Sequence, residues 1–274
     1  MALTALVAAI VIAQAQPAWT VSFSIEPARE SLRYRFDNPS SFNTVELVPH
    51  FFEQTYDTGN VWVGGRLTYP LFGHGAETRV AVTPQGTRHA EDFDTFFQPD
   101  GNVVVAGTTG NASIRSWLIT ERITADRLRG LDVGVTLGYR RDTARYHEGI
   151  GIVTTTRPPT EERRSVTTRE FVTSHLFEAG VFGARSGSSF SGSVDVIAVG
   201  VGRLAVQLPD KYPGRTIVAS GRYSSAMAEA SYASRLGPAL ARVGVRAGAS
   251  LPWRRSSAMH LRRFSVFLAI GIRH

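Results

Sequence analysis

From Trp19 onward, apolar and polar positions alternate with a period of two, and the spacing of an amphipathic helix is almost absent. The clearest run sets Leu131, Val133, Val135, Leu137 and Tyr139 against Asp132, Gly134, Thr136, Gly138 and Arg140. A second sets Ala241, Val243, Val245, Ala247, Ala249 and Leu251 against Arg242, Gly244, Arg246, Gly248 and Ser250. In a third, Phe264, Val266, Leu268, Ile270 and Ile272 oppose Ser265, Ala269, Gly271 and Arg273. Val61, Val63, Leu67 and Tyr69 face away from Trp62, Gly64, Arg66 and Thr68. Weaker runs at 19–26, 44–56, 112–124, 169–182, 190–206 and 223–234 bring the predicted strands to ten.

Alternation alone also fits a soluble sandwich with its apolar face turned inward. Run length separates the two readings, because several runs reach ten residues or more. Strands of globular proteins cluster near 5–6 residues, whereas a tilted membrane strand needs about 9–11. The connections add a second argument. They alternate between long (27–43, 70–111, 141–168, 207–222) and short (57–59, 125–130, 184–189, 235–237), with an intermediate one at 252–258. Short periplasmic turns and long extracellular loops are the signature of an outer-membrane barrel, and an even strand number returns both termini to one side. The expected fold is therefore all-β: a ten-stranded antiparallel up-and-down transmembrane β-barrel with long extracellular loops. Its polar face becomes a lumen in which Arg66, Asp132, Glu178, Asp195, Glu229, Arg242 and Arg246 pair across strands. Tyr69, Tyr139, Tyr232 and Trp253 fall near run ends, where aromatic girdles sit.

The segment before Trp19 has a different purpose. Ala2 to Ile12 have the length of a signal-peptide apolar core, and Ala13-Gln14-Ala15 is a small-x-small cleavage pattern. Residues 1–15 are thus expected to be a leader and 16–274 the barrel of a Gram-negative type outer membrane. Composition narrows the chemistry further. With no cysteine among 274 residues, a disulfide scaffold, a thiolate zinc site and a cysteine nucleophile are excluded. The net charge of +7 suits any polyanion. Lys211 is the only lysine among 30 cations, so the charge is carried by arginine, which favours bidentate phosphate and carboxylate contacts. The arginines are dispersed among strands, which speaks against nucleic acid.

Candidate motifs are few. Gly200-Val201-Gly202-Arg203-Leu204-Ala205 matches a dinucleotide fingerprint on paper, but no helix follows it. The charged segment 157–164 is a solvated loop. With the chain in an outer leaflet, its Arg157, Arg163 and Arg164, together with Arg169, are candidates for lipopolysaccharide phosphates. Arg254 and Arg255 beside Trp253 form a second such cluster. Seven histidines show no ligand spacing, so no metal site is expected, and only His89 near Asp92 stands out.

Ten strands with the longest loop between the third and fourth resemble the omptins, the outer-membrane endopeptidases. Three local matches carry the resemblance: Leu32-Arg33-Tyr34-Arg35-Phe36-Asp37-Asn38, Ala90-Glu91-Asp92-Phe93-Asp94, and the strand from Leu131 to Tyr139. The resemblance implies a water-activating site with an aspartate pair on one wall and an Asp–His pair on the other. Histidine takes the proton from water, its aspartate orients it, and the facing carboxylates hold that water. Asp92 fits one member of the first pair. The other falls on Ala90, with Glu91 and Asp94 as substitutes. The Asp–His pair falls on Pro209-Asp210-Lys211-Tyr212, where Asp210 is displaced by one position and Lys211 stands in place of histidine. A lysine is protonated near neutral pH unless strongly desolvated, and so is a poor general base.

The leading expectation is accordingly an omptin-like barrel without peptidase activity, a monomeric surface or structural protein bound to outer-membrane lipopolysaccharide, with a peptide or extracellular protein as a further candidate ligand. The alternative is an omptin-type endopeptidase with altered machinery built on Asp92, Asp94, Asp210 and His89. Its arginine-rich loops would disfavour the basic peptides that omptins take. No cofactor is implied beyond lipopolysaccharide as an activating lipid, and a diffusion channel is disfavoured because side chains largely fill a ten-stranded lumen.

Overall fold

A computed structural model describes residues 19–37, 51–97, 100–166, 169–207, 209–210, 213–214, 216–251 and 259–273. The expected leader, Lys211, Trp253, Arg254 and Arg255 lie outside the described residues. Twelve strands follow one another: β1 (Thr20–Asp37), β2 (Phe51–Leu71), β3 (His74–Val82), β4 (Gly86–Phe97), β5 (Val103–Leu128), β6 (Leu131–Thr156), β7 (Pro159–Val166), β8 (Glu170–Ser186), β9 (Phe190–Gln207), β10 (Ile217–Leu236), β11 (Ala239–Ser250) and β12 (Met259–Arg273). Every pairing is antiparallel, and β12 pairs with β1 from Thr20↔Arg273 to Tyr34↔Met259, so the sheet closes. β3 and β4 share one position, since both run between β2 and β5. β7 and β8 share another, both lying along β6. The result is a ring of ten strands.

The strand number agrees with the alternation, but the membership differs. The described part of the expected strand 44–56, from Phe51 on, and the expected strand 61–69 belong to one continuous strand, β2. Asp57-Thr58-Gly59 reads as a turn, yet it pairs without interruption with Ser31, Glu30 and Arg29 of β1. The expected long loop 70–111 contains β3, β4 and the start of β5, and the expected loop 141–168 contains the upper half of β6 together with β7. β4, the start of β5, the upper half of β6 and β7 lie at the end opposite the short turns, beyond the apolar belt, where both faces meet polar surroundings and no alternation marks the strand. β3 differs: it returns from the Phe72-Gly73 turn beside the belt portion of β2, from Leu71↔His74 to Val63↔Val82, and with only nine residues it is absorbed into the expected loop. Thr83-Pro84-Gln85 adds a break between β3 and β4. It is bridged by Thr83 N–H donating to Ser116 O at 2.8 Å and Ser116 N–H donating to Thr83 Oγ1 at 2.7 Å.

At one end of the ring the connections are tight. Phe72-Gly73 and Arg129-Gly130 both have positive φ at both residues, which is the two-residue hairpin turn whose twist suits flanking strands. Above these turns the outer wall carries an apolar belt in which Phe23, Ile25, Leu137, Val181, Leu268 and Ile270 are each more than half exposed. So continuous an exposed apolar surface marks a lipid-facing wall. Phe190 and Tyr232 meet edge-to-face at 5.0 Å at its lower margin. At its upper margin Tyr139 lies between Trp117 at 4.8 Å and Phe177 at 4.7 Å. From Leu131 to Tyr139 the belt runs about 27 Å along β6, about 20 Å of height once the strands tilt. β5 and β6 are 26 residues each, so the barrel continues far above the belt.

The lumen is filled by charge. Glu26, 1% exposed, accepts from Arg79 at 2.7 Å, Arg263 at 2.7 Å, Ser265 Oγ at 2.6 Å, and Arg246. Glu229 is held by Arg66 at 3.0 Å, Arg242 at 3.0 Å and Arg246 at 2.6 Å. Glu30 accepts from Arg140 at 2.9 Å and from Asn60 at 2.8 Å, and Arg122 pairs with Asp195. Trp62 lies between Arg140 and Arg263, with the guanidinium carbons 5.1 and 4.9 Å from its ring centre. The charged groups pair with one another across the barrel, as the alternation led one to expect for Arg66, Asp195, Glu229, Arg242 and Arg246. Asp132 pairs instead with Arg127 at the short-turn end, and Glu178 accepts from Tyr223 at 2.8 Å.

Candidate functional site

The plug divides the interior into an upper groove and a lower vestibule. In the upper groove, Asp92 stands on β4 opposite Tyr56 of β2 and Thr108 of β5. Tyr56 stacks on Tyr146 at 4.8 Å with an interplanar angle of 29°, and its hydroxyl donates to Glu170 of β8. Asp142 accepts from Ser174 Oγ at 2.8 Å and from Arg140 at 2.9 Å. Tyr146 lies seven positions above Tyr139 of the upper girdle. Its burial, and after that the Asp92, Glu170 and Asp142 carboxylates, push the phenol well above its ordinary value. The groove is therefore a tyrosine pair framed by carboxylates.

His89 and Asp210 do not assemble around Asp92. Asp94 lies two positions further along β4, paired with Gln54 and Ala106. His89 is on the opposite face of β4, exposed to solvent and 3.8 Å from Glu91. A spacing of three residues from Asp92 was the available signal: on a strand it places the two side chains on opposite faces. Asp210, in the connection between β9 and β10, is held by Arg169, whose backbone N–H donates at 2.9 Å and whose Nη2 donates at 2.7 Å. These hydrogen bonds bring its carboxyl down to about 2. His175 is on the outer wall, its Nδ1 2.7 Å from the Tyr139 hydroxyl, and His74 lines the lower vestibule. Among the described side chains, no histidine faces Asp92. No group of His, Cys, Asp and Glu suited to a metal occurs among the described residues.

Arg157 pins two neighbouring turns, its Nη1 donating to Asp100 O at 3.2 Å and its backbone N–H to Asn102 Oδ1 at 3.0 Å. Arg163 and Arg164 pair along β6 with Ile152 and Gly151. A different set of arginines emerges on the outer wall, just above the upper girdle. Arg115, Arg141, Arg203 and Arg222 are all exposed there. Arg141 is in register with Trp117 and His175, and His175 with Arg203. Sequence reasoning missed them because each sits inside a strand, where an isolated arginine reads as lumenal.

Comparison with solved structures fits this geometry. The outer membrane protease OmpT of Escherichia coli superimposes with a TM-score of 0.60, covering 94% of this chain and 96% of that one at 8% identity. The fold is an omptin-like barrel. The translocator domain of the autotransporter NalP from Neisseria meningitidis also matches over 98% of this chain and 94% of its own, at 8% identity, but its TM-score of 0.31 adds no argument. No protein-family model matches the sequence, and no curated protein matches it significantly. The similarity to the protease is thus one of fold, with strand order and closure in common. The omptin-like barrel here carries neither a described histidine nor a free Asp210 opposite Asp92.

Proposed function

We propose that this chain is an outer-membrane barrel without peptidase activity, a surface protein anchored through lipopolysaccharide. The observation that carries this reading is the outer wall: an apolar belt ends in the Trp117–Tyr139–Phe177 girdle, and Arg115, Arg141, Arg203 and Arg222 follow directly above it. Aromatic rings mark the interface, and guanidiniums one step higher meet the phosphates of the outer leaflet with charge-assisted, bidentate hydrogen bonds. Short turns then face the periplasm and the long strands the exterior. The non-peptidase half rests on the capture of Asp210 by Arg169 and on the outward orientation of His89.

The second reading, an omptin-type endopeptidase with altered residues, draws on one observation. Asp92 faces the groove in a neighbourhood that includes Tyr146, Glu170 and Asp142. One experiment separates the two. Protein refolded in detergent with lipopolysaccharide is offered a mixed peptide library, wild type beside Asp92→Asn and Asp210→Asn. We expect no cleavage, together with a lipopolysaccharide-dependent rise in thermal stability that the Arg141→Gln/Arg203→Gln double variant loses. Cleavage by wild type that disappears in Asp92→Asn would restore the peptidase.

A further inference from the structure

The lower vestibule is a cavity of about 700 Å³ at the short-turn end, on the far side of the plug from the upper groove. Its size lies within the range of small-molecule sites. Its walls are rich in hydroxyls, with Ser186, Ser188, Ser189, Ser191 and Ser193 from the β8–β9 hairpin region and Thr20, Ser22, Thr68 and Thr124 opposite. At its inner end lie the guanidiniums of Arg66, Arg122 and Arg242. Most of this charge is neutralised within the plug. Arg122 is engaged through all three nitrogens by Asp195, Ser193 and Glu77. Arg242 differs. Its Nε donates to Ser231 at 2.7 Å and its Nη2 to Ser191 and Glu229 at 3.0 Å each, which leaves Nη1 without a partner among the described residues. Its side chain is 21% exposed, more than Arg66 at 13%, Arg122 at 16% or Arg246 at 3%. Glu229, the one carboxylate hydrogen-bonded to it among the described residues, is shared with Arg66 and Arg246. The surplus positive charge of the lower plug therefore surfaces at Arg242, at the bottom of a serine-lined cavity.

We propose that the vestibule binds an anionic sugar: a compact hydroxylated solute bearing one carboxylate or phosphate. The oxyanion meets the free edge of Arg242, and the hydroxyls exchange hydrogen bonds with Ser191, Ser193 and the hairpin serines. A neutral sugar would leave the guanidinium unpaired. A bare oxyanion would leave the hydroxyl wall unused, and discrimination against both is the signature of a site built for the two features together.

The test is calorimetric titration of the refolded full-length chain in detergent with glucuronate, glucose 6-phosphate, glucose and inorganic phosphate. Saturable one-to-one binding is expected for glucuronate or glucose 6-phosphate, and the stronger of the two identifies the oxyanion. Glucose and inorganic phosphate should bind at least about tenfold more weakly. Arg242→Gln should weaken binding by a similar factor. Because that change also perturbs the plug, Ala184→Trp is the second variant. Ala184 lines the vestibule outside the charge network, and the added ring should abolish binding while leaving the thermal transition in place. The proposal is overturned if neither anionic sugar binds, if inorganic phosphate binds as tightly as the sugar phosphate, or if binding survives Ala184→Trp in folded protein. Neither the peptide-cleavage result nor the lipopolysaccharide result bears on it.

Discussion

Two arginine–carboxylate sites show what environment does to the same chemistry. In the plug, Glu26 is 1% exposed and carries three guanidiniums and a serine hydroxyl. At the rim, Asp210 carries one guanidinium and one backbone N–H, in solvent. Water competes for every bond at the rim, so the pair sets the position of a connection and adds little to stability. Inside the plug no water replaces a lost partner, so each group depends on all the others. The plug is structural for this reason, and the rim and walls are where ligands find accessible charge.

The sharpest way to break the contrast is Glu26→Ala. It leaves Arg79, Arg246 and Arg263 facing one another, and we expect a loss of about 3–5 kcal/mol in denaturant unfolding of the refolded barrel. A loss below about 1 kcal/mol would mean that water reaches the plug and that its ions behave like surface pairs. A smaller effect is expected for Gly244→Val. A side chain there would meet the Phe267 ring at 2.6 Å and Ala230 O at 2.6 Å, and Phe267 is the ring beneath Arg246 at 4.2 Å. Overpacking of this kind costs about 1–3 kcal/mol. If Gly244→Val is neutral, Phe267 has room to move and the plug is less rigid than its contacts imply.

The smallest effect belongs to the rim, where it is best read as a titration. The Asp210 carboxyl, held down to about 2 from its ordinary 3.8 by Arg169, contributes stability that is fully present above pH 3.8 and lost as pH falls through about 2. Carboxyl-selective NMR, with Asp210→Asn for identification, should give a midpoint near 2 that returns toward 3.8 in Arg169→Gln. The global unfolding free energy of that variant should be unchanged within error at neutral pH. A midpoint near 3.8 in the wild type would mean that the Arg169 contact does not persist in solution.

How far the residues alone led depends on the surroundings of each strand. Leu131–Tyr139, Ala241–Ser250 and Phe264–Ile272 were legible because one face meets lipid and the other a charged lumen, so composition alternates sharply. β4 was not, because it lies above the belt, with His89 in solvent on one face and Asp92 in the groove on the other. Asp92, read as a candidate catalytic carboxylate, stands in the groove, and His89 could have been discarded from its odd spacing. The fate of Asp210 was hidden, since nothing near it in the chain points to Arg169, 41 residues earlier.

By itself, the sequence determined the class of fold, which side of the clearest belt strands faces inward, three of the short turns at one end and the arginine character of the charge. These are local properties: period-two geometry and turn chemistry act over a few residues. Only the closed barrel decided which charges meet. Arg246 and Glu26 are separated by 220 positions, and they touch because β12 returns to β1 in one register. A shift of one residue in that closure would send Glu26 to the lipid face and dissolve the plug, because the side-chain period of a strand is two.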